Sequence, residues 1–195
     1  MNRQISLGQY RAIDLSILAV VLGIAQIAIH FAVTVWFPDQ LYVVSPVAIM
    51  VALVMMRWGI WSGLHAVFGG LLFAYISNGS WQHFVIYGVG NAFSLLALIL
   101  FRIFTKERIR CSVLGTLGFA LCVQVLMLLG RTGVALVLRY EPLACLGFIT
   151  TDALSVLFTV CIAWGIRRID GLFEDQIHYL LRVQSEQTTK GGEQL

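Results

Sequence analysis

The chain has 195 residues, 59% of them hydrophobic and only 12% charged, with a formal net charge of +3. A soluble domain carries about 25% charged residues, and no soluble fold of this length hides so much apolar surface, so lipid is the expected solvent. The small net charge and the lack of a basic tract interleaved with aromatics set a nucleic-acid partner aside.

A membrane-spanning helix needs about 20 mostly apolar residues. In chain order, the first expected span covers residues 13–36 and is closed by Phe37-Pro38-Asp39-Gln40. It is too long for the core of a signal peptide and contains Gln26 and His30, so it reads as a retained helix. The second span covers 41–56, before Arg57, and the third covers 60–77, stopped by Asn78-Gly79-Ser80. The fourth covers 83–101 and runs into a basic stretch at 102–110. The fifth covers 112–138, and the sixth covers 143–166, before Arg167-Arg168.

Residues 41–77 are almost continuously apolar, and charge argues for two spans there instead of one tilted helix. With six spans, the cytoplasmic segments collect Arg3, Arg11, Arg57, Arg102, Lys106, Arg108, Arg110, Arg167, Arg168, Arg182 and Lys190. Arg139 alone falls outside, and Arg131 lies within a span. Five spans would separate the 102–110 cluster from the basic tail and break the positive-inside rule. The expected architecture is all-α: a polytopic membrane protein with six transmembrane helices and both termini cytoplasmic. Residues 1–168 form the transmembrane domain. Residues 169–195 form an amphipathic cytoplasmic helix, with Phe173, Ile177, Leu180 and Leu181 on one face, and a tail from Glu186 expected to be disordered.

Trp36 and Trp81 fall at the outer boundary, and Trp58, Trp61 and Trp164 at the inner one, as interfacial anchors do. Ligand stacking stays open for Trp36 and Trp81. Cys111, Cys122, Cys145 and Cys161 form no CxxC pair, so neither a disulfide framework nor a metal site is expected. Nor are there HExxH, GxSxG or phosphate-cradling glycine motifs, so no catalytic residue and no cofactor is assigned and the chain is not read as an enzyme.

Polar residues inside spans tend to face an interior or a wet cavity. Here they gather in the outer half: Gln26 and His30; His83, Tyr87 and Asn91; Gln124 and Arg131; Thr151, Asp152, Ser155 and Thr159. Arg131 and Asp152 are nearly equidistant from Glu141 in the turn between the fifth and sixth spans, so an antiparallel hairpin sets them at one depth. They are expected either as an ion pair locking the hairpin or as walls of an outward-facing cavity. The candidate ligand residues are His30, Trp81, His83, Tyr87, Asn91, Arg131 and Asp152, an inventory that suits a small polar, heteroaromatic molecule. His65 lies nearer the inner side and reads as a packing residue. On the inner half of the first helix, Ala12, Ser16, Ala19 and Gly23 form a small-residue stripe. It suits either a partner's helix or packing within the chain.

Six short spans, the small-xxx-small step Ala19–Gly23, the segment Trp81-Gln82-His83-Phe84-Val85-Ile86-Tyr87-Gly88-Val89-Gly90-Asn91, Leu129-Gly130-Arg131, and the run from Thr151-Asp152 to Asp170-Gly171-Leu172-Phe173-Glu174-Asp175-Gln176 carry a resemblance. In these the chain resembles the substrate-binding S components of energy-coupling factor (ECF) transporters. The resemblance implies an S-component-like bundle that captures a vitamin or similar micronutrient near the outer face of a prokaryotic cell membrane. It implies as partners a T component, docked at Ala19 and Gly23, and two cytoplasmic ATPases. In the family's Ala-xxx-Ala motif the second alanine is here Gly23. A membrane scaffold of the cell-shape type and an independent secondary transporter are the competing expectations.

Overall fold

The computed structural model describes residues 6–36 and 43–192, so the expected close of the first span at 37–40 and the start of the second at Leu41 lie outside the described residues. All regular structure among the described residues is helical. Five helical stretches are long and apolar enough to cross a membrane: Leu7–Trp36, Val47–Ile76, Trp81–Ile103, Val113–Val137 and Pro142–Ile166.

Helix α1 (Leu7–Trp36) begins six residues before the apolar run does. Its start is fixed by Ser6 and Gln9: the Gln9 amide donates to Ser6 Oγ at 3.2 Å, and the Ser6 amide donates to Gln9 Oε1 at 3.0 Å. This capping box satisfies two otherwise orphaned N–H groups. Leu15, Leu18, Leu22 and Gln26 form the buried stripe of α1, while Ile17, Val20, Ile24 and Phe31 stand exposed on the side a bilayer would cover.

The stretch Val47–Ile76 is not one rod. Helix α2 (Val47–Trp58) ends at Gly59, whose φ of +62° glycine adopts without steric cost, and a 3₁₀ turn (Gly59–Trp61) leads into α3 (Ser62–Ile76). A Cβ placed on Gly69 would stand 2.8 Å from Val47 Cγ2. In a straight helix these residues would be about 33 Å apart, so α2 and α3 fold back on each other as an antiparallel hairpin. Every residue of α2 except Met50 is buried, which accounts for a sequence apolar on all sides.

The rod α4 (Trp81–Ile103) is α-helical to Ala92, 3₁₀ over Phe93–Ile99 and α-helical again over Leu100–Ile103. A short helix α5 (Lys106–Cys111), capped by Thr105, precedes α6 (Val113–Val137), capped by Ser112. Glycine lets α3, α4 and α6 approach until backbones touch. A Cβ on Gly70 would collide with the Tyr87 carbonyl oxygen, one on Gly130 with that of Gly90, and one on Gly90 would lie 2.7 Å from the Arg131 amide nitrogen. In lipid, such close contact supplies the association energy that water expulsion supplies elsewhere.

Helix α7 (Pro142–Ile166) is interrupted at Asp152. The interruption frees the Thr151 carbonyl, which accepts the Val43 amide at 2.9 Å. Ser155 Oγ donates to the Val43 carbonyl (2.9 Å) and accepts the Ser45 amide (3.0 Å). The backbone of Val43 and the amide of Ser45 are thus satisfied by protein, as irregular backbone at membrane depth requires.

The segment after α7 differs from the expected amphipathic helix. Residues 169–175 form turns, Phe173 is buried in the main apolar core, and helix α8 (Gln176–Gly192) starts only at Gln176. It covers residues 186–192, expected to be disordered, while 193–195 lie outside the described residues. Tyr10 Oη donates to Gln176 Oε1 at 3.2 Å, so the start of α1 and the start of α8 meet at one end of the bundle. That end also carries Arg57, Lys106 and Arg110, and is called the basic end below; the opposite is the far end.

Candidate functional site

At the far end lies a cavity of about 360 Å³, bounded by α1, residues 43–44, the end of α3 and the start of α4. His30 and Thr34 enter it from α1, Phe73 from α3, Ser77 from the turn that follows α3, and His83 and Tyr87 from α4. None of the described residues lining it is Asp, Glu, Lys or Arg. Its polar character comes from hydroxyls, backbone, Asn78 and two imidazoles. The Ser80 hydroxyl is 3.0 Å from His83 Nδ1, which ties the ring to the turn before α4.

Tyr87 divides the cavity from a buried polar network. Its ring lies 4.7 Å from that of Phe73 and is nearly parallel to that of His83, 6.5 Å away. The guanidinium of Arg131 sits 4.7 Å from the Tyr87 ring centre, where the negative π-face attracts it. Arg131 Nη1 donates to Asp152 Oδ2 at 2.6 Å and Nε donates to Asn91 Oδ1 at 2.7 Å. Asn91 Nδ2 then donates to the Ala66 carbonyl, 3.2 Å away. Both charged residues are 3% exposed. Ser155 extends the network to residues 43–45, and Ser45 Oγ donates to Gln26 Oε1 at 3.0 Å. One chain of polar contacts therefore ties α1, α3, α4, α6 and α7 together.

Of the sequence-derived candidates, His30, His83 and Tyr87 line the cavity. Asn91, Arg131 and Asp152 are drawn together beneath Tyr87, as the hairpin arithmetic for Arg131 and Asp152 anticipates, but their polar atoms face one another and none lines the cavity. Trp81 and Trp36 also lie outside its lining and are 65% and 73% exposed. Gly23 packs on α3, with Leu72 Cδ2 and Phe68 Cζ at 3.8 and 3.9 Å from an ideal Cβ, and Ala19 is half-buried. His65 is buried with Nε2 3.1 Å from the Leu15 carbonyl. Among the described residues no group of three or more His, Cys, Asp or Glu side chains is placed to hold a metal ion.

Sequence reasoning passed over a second charged cluster at the basic end. Arg57, counted above among the cytoplasmic positive charges, is buried and grips Asp14 of α1 through Nε (3.0 Å) and Nη2 (2.7 Å). Its Nη1 donates to the Gly171 and Leu172 carbonyls at 2.8 and 3.1 Å, and Trp58 Nε1 donates to Asp14 Oδ2 at 2.6 Å. Beyond it, Arg110 pairs with Glu174 at 2.6 Å and Lys106 with Asp175 at 2.6 Å. Burial pushes the Asp175 carboxyl up, but its hydrogen bond and charge pairing with Lys106 outweigh this and hold it below the usual carboxylate value. Residues 170–176 are thus strapped across the bundle. The overlooked signal was Asp14, an acid inside an otherwise apolar run.

The chain is a multi-pass helical membrane protein by the length and hydropathy of its helices. Comparison with family models, curated proteins and solved structures gives no match.

Proposed function

We propose that this chain is the substrate-capturing S component of an ECF-type importer for a vitamin or related micronutrient, working with a T component and two cytoplasmic ATPases in a prokaryotic cell membrane. In this reading the chain crosses the membrane six times, the α2–α3 hairpin supplying two of the crossings. The basic end, with both termini, faces the cytoplasm. The observation that carries the proposal is the far-end cavity between His30, His83 and Tyr87, which opens on the side opposite the basic cluster. Because Arg131 and Asp152 are occupied with each other, the proposed ligand meets no net charge. That favours a small uncharged ring compound held by stacking and neutral hydrogen bonds over an organic anion.

The test is purification of the full chain from its own membranes, followed by mass spectrometry of co-purifying proteins and small molecules. The expected result is a membrane subunit, two ATPases and a bound nutrient. Cell-shape proteins in place of ATPases, with no small molecule, would overturn the reading in favour of a scaffold. His83→Ala, at the cavity rim, is expected to weaken retention of the bound molecule about tenfold, one lost stacking and hydrogen-bonding partner, with unchanged thermal stability in detergent. Ala19→Trp with Gly23→Trp is expected to lower partner co-purification while leaving small-molecule retention intact; because Gly23 packs on α3, loss of folding would instead assign the stripe to packing within the chain. Normal co-purification would remove the docking role from that stripe.

A further inference from the structure

A second long depression lies along α3 and α4, away from the cavity. It has a volume of about 640 Å³, and every described residue lining it is apolar, among them Trp61, Gly63, Phe68, Leu71, Ala92 and Leu95. Trp61, Phe68 and Leu71 are at least 40% exposed. From Trp61 to Leu71 the groove climbs about 15 Å of helix, half the roughly 30 Å hydrocarbon core, or the depth of one leaflet. Its lower end is at the hairpin turn on the basic side. Small residues make its floor: a Cβ on Gly63 would already stand 3.0 Å from Leu95 Cδ1.

Charge marks that lower end. The Arg11 guanidinium lies 4.5 Å from the centre of the Trp61 ring, which lines the groove. Arg102, exposed, lies in the last turn of α4, seven residues past Leu95. Four cations of the basic end are neutralised: Arg57 by Asp14, Lys106 by Asp175, Arg110 by Glu174 and Arg182 by Asp170. Among the described residues, Arg11, Arg102, Arg108, Arg167 and Arg168 are in no ion pair, and of these Arg11 stacks on a residue that lines the groove, whereas Arg168 stacks on Trp164, which does not. An apolar slot one leaflet deep, ending at an unneutralised cation stacked on an interfacial Trp, matches a lipid with a long chain and an anionic head.

We infer that this groove is a binding site for an anionic phospholipid of the basic-end leaflet, one acyl chain lying against Gly63, Ala92 and Leu95 and the phosphate held by Arg11 and Arg102. The site is independent of the far-end cavity and rests on the membrane reading alone, not on the importer assignment. Basic residues at a membrane surface favour anionic lipid by amounts that add per residue. A fixed groove adds position to that general attraction.

The test uses the full chain reconstituted in vesicles of phosphatidylcholine and phosphatidylglycerol, with bromine on the acyl chains of one lipid at a time. Quenching of the fluorescence that Trp61→Phe removes reports which lipid occupies the groove. Brominated phosphatidylglycerol is expected to quench it far more than brominated phosphatidylcholine at equal mole fraction. Arg11→Gln with Arg102→Gln is expected to lower that preference roughly 10- to 30-fold, the effect of two basic residues. Arg168→Gln, whose guanidinium stacks on Trp164 at the end of α7, is expected to leave it unchanged. Equal quenching by the two lipids in the unaltered chain would overturn the proposal whatever the variants do. So would a preference that survives the double substitution.

Discussion

The two buried Arg–Asp pairs of this protein are built from the same groups and spend them differently. Arg131 at the far end directs its donors only at side chains of neighbouring helices, Asp152 on α7 and Asn91 on α4, with its flat face on Tyr87. Arg57 at the basic end holds Asp14 with two nitrogens and turns the third to backbone carbonyls of Gly171 and Leu172, more than a hundred residues away. The first pair fixes how helices sit around the floor of the cavity. The second ties an irregular strap to the bundle. A guanidinium is suited to both tasks because its five donors lie in one rigid plane. What differs is whether the acceptors belong to elements that would pack together anyway.

The sharpest way to break the comparison is at the far end. Asp152→Leu leaves the Arg131 charge buried without its partner and is expected to cost about 3–5 kcal/mol, read as a lower melting temperature in detergent. Adding Arg131→Met to that variant is expected to recover most of the loss, because a well-packed apolar pair removes the desolvation cost of both ions. A double variant as unstable as the single would show that the network, with Asn91 and Tyr87, requires the cation itself. At the basic end, Asp14→Asn is expected to cost about 1.5–3 kcal/mol, the scale of hydrogen bonds to a charged group. The effect should be local: faster hydrogen exchange and proteolysis at residues 169–176, with the cavity unchanged. Global unfolding in place of strap release would show that the strap is part of the cooperative core.

The smallest effect concerns Lys106 and Asp175. The folded Asp175 carboxyl titrates below its ordinary value of 3.8. Its contribution is therefore complete above that value and is lost as pH falls through the lower folded value. The pair is partly exposed, so its contribution is about 0.2–1 kcal/mol. Protection of the strap is expected to fall modestly as pH drops below about 4, the ordinary aspartate value, and Asp175→Asn is expected to flatten that part of the profile.

How much of this was legible depended on whether a feature is encoded locally. Apolar runs locate the long helices, and the distances of Arg131 and Asp152 from Glu141 place them side by side because a short turn transmits depth directly. The start of α1 is encoded just as locally, in Ser6-x-x-Gln9, but hydropathy ignores that signal and set the start at residue 13. The Asp14–Arg57 pair was not, because it joins segments whose relative placement depends on a turn at Gly59 and on a strap from the far end of the sequence. The helical periodicity of Phe173, Ile177 and Leu180 is kept from Gln176 onward in α8 but not in the strap before it, which holds Phe173. The strap's path follows from carbonyls captured by Arg57 and carboxylates captured by Lys106 and Arg110, which outweigh that periodicity. Trp81 illustrates the opposite limit: position at a boundary is readable, but which way the ring faces is not.

The buried helix α2 has a consequence for how the protein is made. At 12 residues it is about 18 Å long, too short to settle across a bilayer alone, and the backbone of residues 43–45 just before it finds its partners on Thr151 and Ser155. Those partners emerge from the ribosome about a hundred residues later. During synthesis α2 must therefore enter the membrane paired with α3 and wait, its entry segment unsatisfied, until α7 arrives. A chain stopped after α6 is expected to be retained by the insertion machinery or degraded, and supplying residues 142–192 as a separate fragment is expected to rescue it. A helix made late completes one made early.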